Sequence, residues 1–567
     1  MPLLPVKIPP GFFRNGTQYQ AKNRWHKGNL VRFSEGRLRP IGGWARLAAT
    51  QLLKTGGSLV DPVRGLHSWR ISSGSRFLAV GTTQSLRIWD GEGAGLTNPP
   101  LYNITPTDTE TGGTNVFENQ TDFSISGLGY GSLDYDEDVY GTPRYPTQGD
   151  TFAPVWTMDS FGDDLLACHS NEGSIWQWAT TSATFVNASQ TATRPTKLSN
   201  APVSCIGVLV TPERHILALA PGGDTRKIQW ASQESLTAWA PTSTNTAGDL
   251  TLQTRWRVTG GFKTRYGTLV FTTSDVWRLN YVGPPYVYGA ERLTEGAGPV
   301  GAKSVAGSAD FVAWMSRGRF WSYTGGYIKE LQCDVADYIF ADINLDVEGL
   351  IAAGHNPDFG EIIWFYPKEG DSIPKHYVTY SYRENHWTTG ELHRAAWESS
   401  DALGYPVAAG GDGFLYRHEQ DADTEATPIP RSKAVTVPAD IAALSTQDTR
   451  IVAKGVPIAE YPNVGTEAHL CYAESGAIEL GSGDRMMSVT QIITDSDAGD
   501  NGLRIKVQVA DTPDETGVTV GPYPLQTDGY TDTRFVGRQA FLTVESPYDQ
   551  DWRVGELRLD ARAEGRR

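Results

Sequence analysis

The sequence predicts an all-β protein built mainly as a β-propeller of about seven blades, with an N-terminal extended arm and a C-terminal β-sandwich or barrel. The first observation behind this is a recurring strand pair, in which a short apolar strand turns at Gly or Asn into an aromatic-rich strand. Phe77–Gly81 turns into Ser85–Gly91, Asp164–Cys168 into Ser174–Trp178, and Leu269–Thr273 into Asp275–Leu279. Phe311–Trp314 with Phe320–Gly325, and Val407–Gly411 with Phe414–Arg417, repeat the pattern. Repetition of one supersecondary unit points to a solenoid or a propeller, and short strands suit four-stranded blades closed around a channel. The second observation is composition: 61 Gly, 17 Trp, 24 Tyr and 19 Phe in 567 residues supply many turns and large strand-forming side chains. The third is a near absence of helical periodicity, with only Leu331–Phe340 reading as a helical turn or two.

Residues 1–64 read as an extended basic arm. Asn29–Phe33 and Gly36–Pro40 alternate apolar with basic residues, which is strand periodicity. This stretch holds eleven Lys/Arg against two acids, whereas the whole chain carries −16, so the remainder carries about −25. A basic segment on an acidic body suggests docking onto an acidic partner or nucleic acid, with Arg14, Arg24, Arg32, Arg37 and Arg39 as the candidate docking residues. The competing reading is that these arginines flank strands and face solvent.

The propeller is expected over residues 65–424. Repeating units fall near 65–91, 151–179, 203–240, 258–283, 302–331, 349–392 and 394–418, one blade being split by the chain's entry and exit. A stretch at about 93–150, rich in Thr, Gly, Asp and Tyr, cannot bury enough apolar surface to fold alone and reads as a long excursion. Its acids lack EF-hand spacing, so a solvated loop is favoured over a calcium site. Asp421–Arg431 turns polar and reads as a linker, and residues 425–567 form the C-terminal sandwich or barrel. There Leu503–Val509 and Gln539–Val544 alternate as half-buried strands.

Several function classes find little support. No apolar run is long enough to cross a bilayer, and the opening Met-Pro-Leu-Leu-Pro lacks a secretory n-region and h-region, so assembly in a cytoplasm is expected. Cys168, Cys205, Cys333 and Cys471 form no CxxC pair and read as buried free thiols. The ten histidines show no ligand spacing, so neither metal nor cofactor is expected. No nucleophile elbow or P-loop occurs. Carboxylates such as Asp163, Asp164, Glu234 and Asp310 have no spacing that selects a glycosidase pair, and a non-enzymatic role is expected. Trp176, Trp178, Trp230, Trp239, Trp256 and Trp277 could stack on sugars, but propeller aromatics more often fill the space between blades.

Several stretches, in order, resemble the tail hub or nozzle proteins of short-tailed bacteriophages, a family that includes the packaged-DNA stabilisation proteins. Pro10–Tyr19 through Gly36–Trp44 is similar to the opening of such chains, and Gln229–Trp239 with Asn245–Asp249 to their central blade. Gly298–Ser304 with Trp314–Gly318, Tyr380–Trp387 and the ending Asp551–Asp560 extend the likeness over most of the chain outside the excursion. The resemblance implies a structural virion protein forming a ring, expected to be a homohexamer, below the portal and adaptor. Such a ring makes the channel that retains packaged DNA and conducts it on ejection, with transient contact to double-stranded DNA. The basic arm would then meet the adaptor or a neighbouring subunit, and tail fibre or spike proteins are further partners. Two alternatives stand beside it: a receptor-binding or polysaccharide-degrading propeller of a tail spike, and a cytoplasmic propeller scaffold unrelated to phage.

Overall fold

Each recurring hairpin forms the middle of an antiparallel sheet. The computed structural model describes residues 4–47, 52, 61–91, 100–108, 114–117, 153–187, 189–371, 373–420, 471–480, 485–497, 503–512, 517–526, 529–546 and 552–565. Among these, seven sheets follow one another as blades of a propeller. The first is Val63–Arg70, Arg76–Thr82, Leu86–Asp90 and Leu101–Asn103, extended on its outer edge by Thr191–Ala192 and Phe185–Val186. The second runs Trp156–Phe161, Asp164–His169, Ile175–Trp178 and Thr196–Lys197. The third is Gly207–Val210, Ile216–Leu219, Lys227–Trp230 and Gly248–Thr251.

The fourth to sixth blades have the same connectivity. Their innermost strands are Val258–Thr264, Val305–Gly307 and Ala352–Asn356, and their outermost are Val287–Thr294, Tyr327–Leu331 and His386–Glu391. The seventh takes Arg394–Glu398, Val407–Gly410 and Leu415–Gln420 from the end of the propeller segment. Its fourth strand, Gly43–Arg46, comes from the arm, so chain entry and exit share one blade. This latch closes the ring with hydrogen bonds rather than with packing alone.

Apolar clusters lie between successive blades. Leu78 and Val80 of the first blade pack with Val407 and Leu415 of the seventh, and Phe77 and Ile88 with Trp156 and Trp178 of the second. Leu269 and Phe271 of the fourth meet Val312 and Trp314 of the fifth. Close approach between blades depends on glycine at particular points. A Cβ on Gly81 would stand 2.3 Å from the Trp156 indole, and one on Gly354 would stand 2.3 Å from Trp397. The indoles fill space that any side chain would occupy.

Both chain ends build a second unit of two antiparallel sheets. One sheet orders Val31–Ser34, Arg37–Pro40, Arg553–Ala563, Met487–Asp497 and Tyr530–Gly537, with Leu4–Val6 also on Arg553–Ala563. The other orders Trp25–Asn29, Cys471–Ser475, Gln539–Ser546, Arg504–Ala510 and Val518–Pro524, with Ile478–Glu479 on Gln539–Ser546. Val489, Ile492 and Leu559 of the first share one apolar cluster with Ile505, Val507 and Leu542 of the second. The same cluster runs into the sixth blade through Phe12, Phe33 and Trp387. The Phe12 amide donates to the Trp387 carbonyl at 2.8 Å, and the Leu30 amide to the Tyr377 hydroxyl at 3.0 Å. Arm and C-terminal segment are therefore one structural unit, mounted on the outer edge of the sixth blade.

Three details differ from, or refine, the sequence reading. Leu101–Asn103, inside the expected excursion, is the fourth strand of the first blade. The expected helical turn is confined to Ala336–Phe340, because Leu331 ends the outermost strand of the fifth blade. The acidic core of the excursion, 127–143, and the linker 421–431 lie outside the described residues.

Candidate functional site

The five candidate docking arginines of the arm divide between the arm–propeller contact and open surface. Arg14 lies over the Tyr338 ring, 3.3 Å from its centroid, and Arg24 pairs with Asp334 at 2.5 Å. Arg32 follows Val31 on a strand whose two faces are both covered, so its side chain is driven inward and is 2% exposed. Its guanidinium donates to both carboxylate oxygens of Glu419, at 2.6 and 2.8 Å, and lies 3.1 Å from Glu361. The Phe359 ring covers it at 3.7 Å. Burial works against this charge, but the two carboxylates outweigh it and hold the Arg32 pKa above its ordinary value. Burial also pushes the Glu361 carboxyl up, against the pull of Arg32. Arg39 leans on the same Phe359 ring at 5.2 Å. Arg37 is the one of the five whose side chain is exposed. Arg32 cannot meet a partner from its position; it fastens the arm strand to the sixth and seventh blades.

A second polar constellation lies on and beside the innermost strands. Lys263 of the fourth blade reaches Asp159 of the second at 2.7 and 2.9 Å, and the Val210 amide donates to the same carboxylate. Glu398 of the seventh blade accepts from the Ser68 amide and hydroxyl of the first, both at 2.8 Å. Burial raises the Glu398 carboxyl to about 7, although Ser68 and Lys303 oppose it. Burial lowers Lys303 to about 8, with Glu398 opposing. His67 falls to about 4 for the same reason, helped by Lys263 and Lys303, and is neutral at pH 7. These groups cross-link blades through the middle of the propeller. No signal in any one hairpin marks them, beyond a charged residue at an alternate position of a unit's first strand.

The carboxylates weighed as catalytic candidates each tie a loop. Asp163 accepts from the Ser72 amide and hydroxyl, and Asp164 from Gln177 and Thr180. Glu234 pairs with Arg214 at 3.0 Å and Asp310 with Arg265 at 3.0 Å. Trp176, Trp178, Trp230, Trp239 and Trp277 are buried and Trp256 is half-buried, so these indoles offer no exposed platform. Cys168, Cys205 and Cys471 are buried free thiols, and Cys333 is half-buried and free. Among the described residues no group of three or more His, Cys, Asp or Glu side chains could hold a metal ion, and no helix is long and apolar enough to cross a membrane.

No family model matches the chain, and no curated protein is similar to it in sequence. Solved structures with a similar fold include the β-propeller domain of Cps50 (Swd1) from Myceliophthora thermophila, at 10% identity and a TM-score of 0.35, covering 67% of this chain and 99% of that one. The Pan2 WD40 domain of Neurospora crassa is 9% identical with a TM-score of 0.36, covering 66% of this chain and 95% of that one. PorZ of Porphyromonas gingivalis is 10% identical with a TM-score of 0.31, covering 78% of this chain and 44% of that one.

Proposed function

We propose that this chain is a structural virion protein of a short-tailed bacteriophage, a subunit of the tail hub or nozzle. In this reading six copies form a ring below the portal and adaptor, assembled in the host cytoplasm and carried in the virion tail. The ring retains packaged DNA and conducts it on ejection. One observation carries the reading: the segments that resemble the opening and ending of such chains, far apart in sequence, are spatial neighbours in one unit. Gly36–Trp44 supplies Arg37–Pro40, and Asp551–Asp560 lies largely on Arg553–Ala563, where Leu38 is register partner of Val554. Charge agrees with the role. A net −16 keeps a DNA conduit from trapping its cargo, since cationic surfaces bind phosphate backbones through counterion release.

The test is co-sedimentation of purified protein with isolated portal–adaptor complexes. Co-migration at six copies per connector supports the reading, whereas no association at micromolar concentration opposes it. The tail-spike alternative gains nothing from the buried tryptophans, and polysaccharide binding or cleavage would revive it.

A further inference from the structure

The two-sheet unit holds an open pocket of about 320 Å³ where its two sheets end. Val518–Pro524 is the last strand of one sheet and Tyr530–Gly537 the last strand of the other. Tyr523 and Pro524 line the pocket from the first, and Tyr530, Thr531 and Asp532 from the second. Gln526 and Gln491 complete the wall, Gln491 lying on Met487–Asp497 as register partner of Asp532. Gly529, just before Tyr530, is fixed in place: its amide donates to the Gln526 carbonyl and its carbonyl accepts from the Thr494 amide, both at 3.0 Å. The volume falls within the ~300–1,000 Å³ range of small-molecule sites.

The wall selects among ligand chemistries. Tyr530 is 51% exposed and Tyr523 half-buried, so the pocket offers aromatic surface to a ligand. The Gln491 side-chain amide donates to one Asp532 carboxylate oxygen at 3.1 Å, which orients both groups. The Gln491 carbonyl oxygen and the second Asp532 oxygen remain as acceptors for a ligand's donors. Thr531 is 3% exposed, and its buried hydroxyl has no hydrogen-bond partner among the described residues. Such a group calls for water or a ligand to complete it. Among the described residues of the wall there is no Lys, Arg or His, so an anionic ligand finds no countercharge. A proline-rich peptide brings carbonyl acceptors and few N–H donors, a poor match for acceptor oxygens. A neutral sugar fits: its hydroxyls donate and accept, and its C–H face can lie on a tyrosine ring.

We infer that this pocket binds a neutral sugar residue of a glycan. Tyr530 carries the C–H face of the sugar ring, and Asp532 with Gln491 accepts from adjacent hydroxyls. The inference does not rest on the ring reading, because a glycan site on the two-sheet unit needs no second copy and no connector.

The experiment is saturation-transfer NMR on the full chain with methyl glycosides of glucose, galactose, mannose, rhamnose and N-acetylglucosamine. Transfer to the ring protons of at least one is expected at ~10 mM glycoside, enough to saturate a ~1 mM site. Tyr530→Ala and Asp532→Ala alter exposed side chains, should leave circular dichroism unchanged, and should each weaken binding about tenfold or more. Tyr327→Ala, at a 65% exposed tyrosine of the fifth blade, should bind as wild type does. No transfer to any of these glycosides overturns the inference. So does binding that survives both Y530A and D532A, or a preference for sulfated sugars or an oligoproline peptide over the neutral glycosides. Connector docking by Y530A is read separately, so the sugar site and the nozzle reading stand or fall independently.

Discussion

Replacing Arg32 by methionine should unfasten the arm. The side chain is buried and holds two carboxylates, so its loss takes the bonded guanidinium away from both Glu361 and Glu419. Breaking a buried ion pair by removing one partner costs ~3–5 kcal/mol, which at ~1.4 kcal/mol per tenfold is roughly two to three and a half orders of magnitude in the docking equilibrium. Hydrogen exchange reads this locally: the Leu30 amide, bonded to the Tyr377 hydroxyl, should lose protection by that factor. Adding Glu361→Gln should recover part of the loss, because one buried carboxylate charge disappears. Acidification should act in the same direction. A carboxyl whose folded pKa is raised, as burial raises that of Glu361, contributes stability at low pH that is lost as pH rises through the folded value. R32M should therefore be closer to wild type near pH 5 than at pH 8. A loss below about 1 kcal/mol, with the Leu30 amide still protected, would refute the assignment of Arg32 as the fastener.

Three further outcomes are expected. Trp44→Ala, on the strand that closes the seventh blade, empties a fully buried site and should cost ~3–5 kcal/mol, read as a lower urea midpoint. Gly354→Ala forces a Cβ to 2.3 Å from Trp397 and should cost ~1–3 kcal/mol in the same assay, a neutral result contradicting the packing described between the sixth and seventh blades. Glu398 stabilises the fold when protonated, and this contribution is lost as pH rises from its unfolded range, near 4.5, through about 7. Its surroundings include Ser68, Lys303 and Asp401, and His67 works the other way, its lowered pKa making stability rise between about 4 and 6.5. The difference between wild type and Glu398→Gln isolates the first effect, and identical pH profiles would contradict it.

The blades were legible in the sequence because their central hairpins are local. Asp164–Cys168 and Ser174–Trp178 meet through a short turn, and apolar alternation ending in an aromatic marks both. Long-range pairings left no such mark. Gly43–Arg46 bonds to Leu415–Gln420 across most of the chain, and nothing near Trp44 names that partner. Period two also misleads where both faces of a strand are covered. Val31, Arg32 and Phe33 are all buried, because one face meets the second sheet unit and the other meets the propeller. The arginines therefore read as surface charge in the sequence, while Arg32 is the least exposed of them. The inner-strand groups Asp159, Lys263 and Glu398 come from three different blades, so ring closure alone brings them together.

The most direct test of the account is electron microscopy of the purified protein mixed with isolated phage portal–adaptor complexes. The account predicts a six-fold ring with an open central channel seated on the adaptor, one seven-bladed propeller per subunit. Persistent monomers beside undecorated connectors, at concentrations where the connectors remain intact, would contradict it.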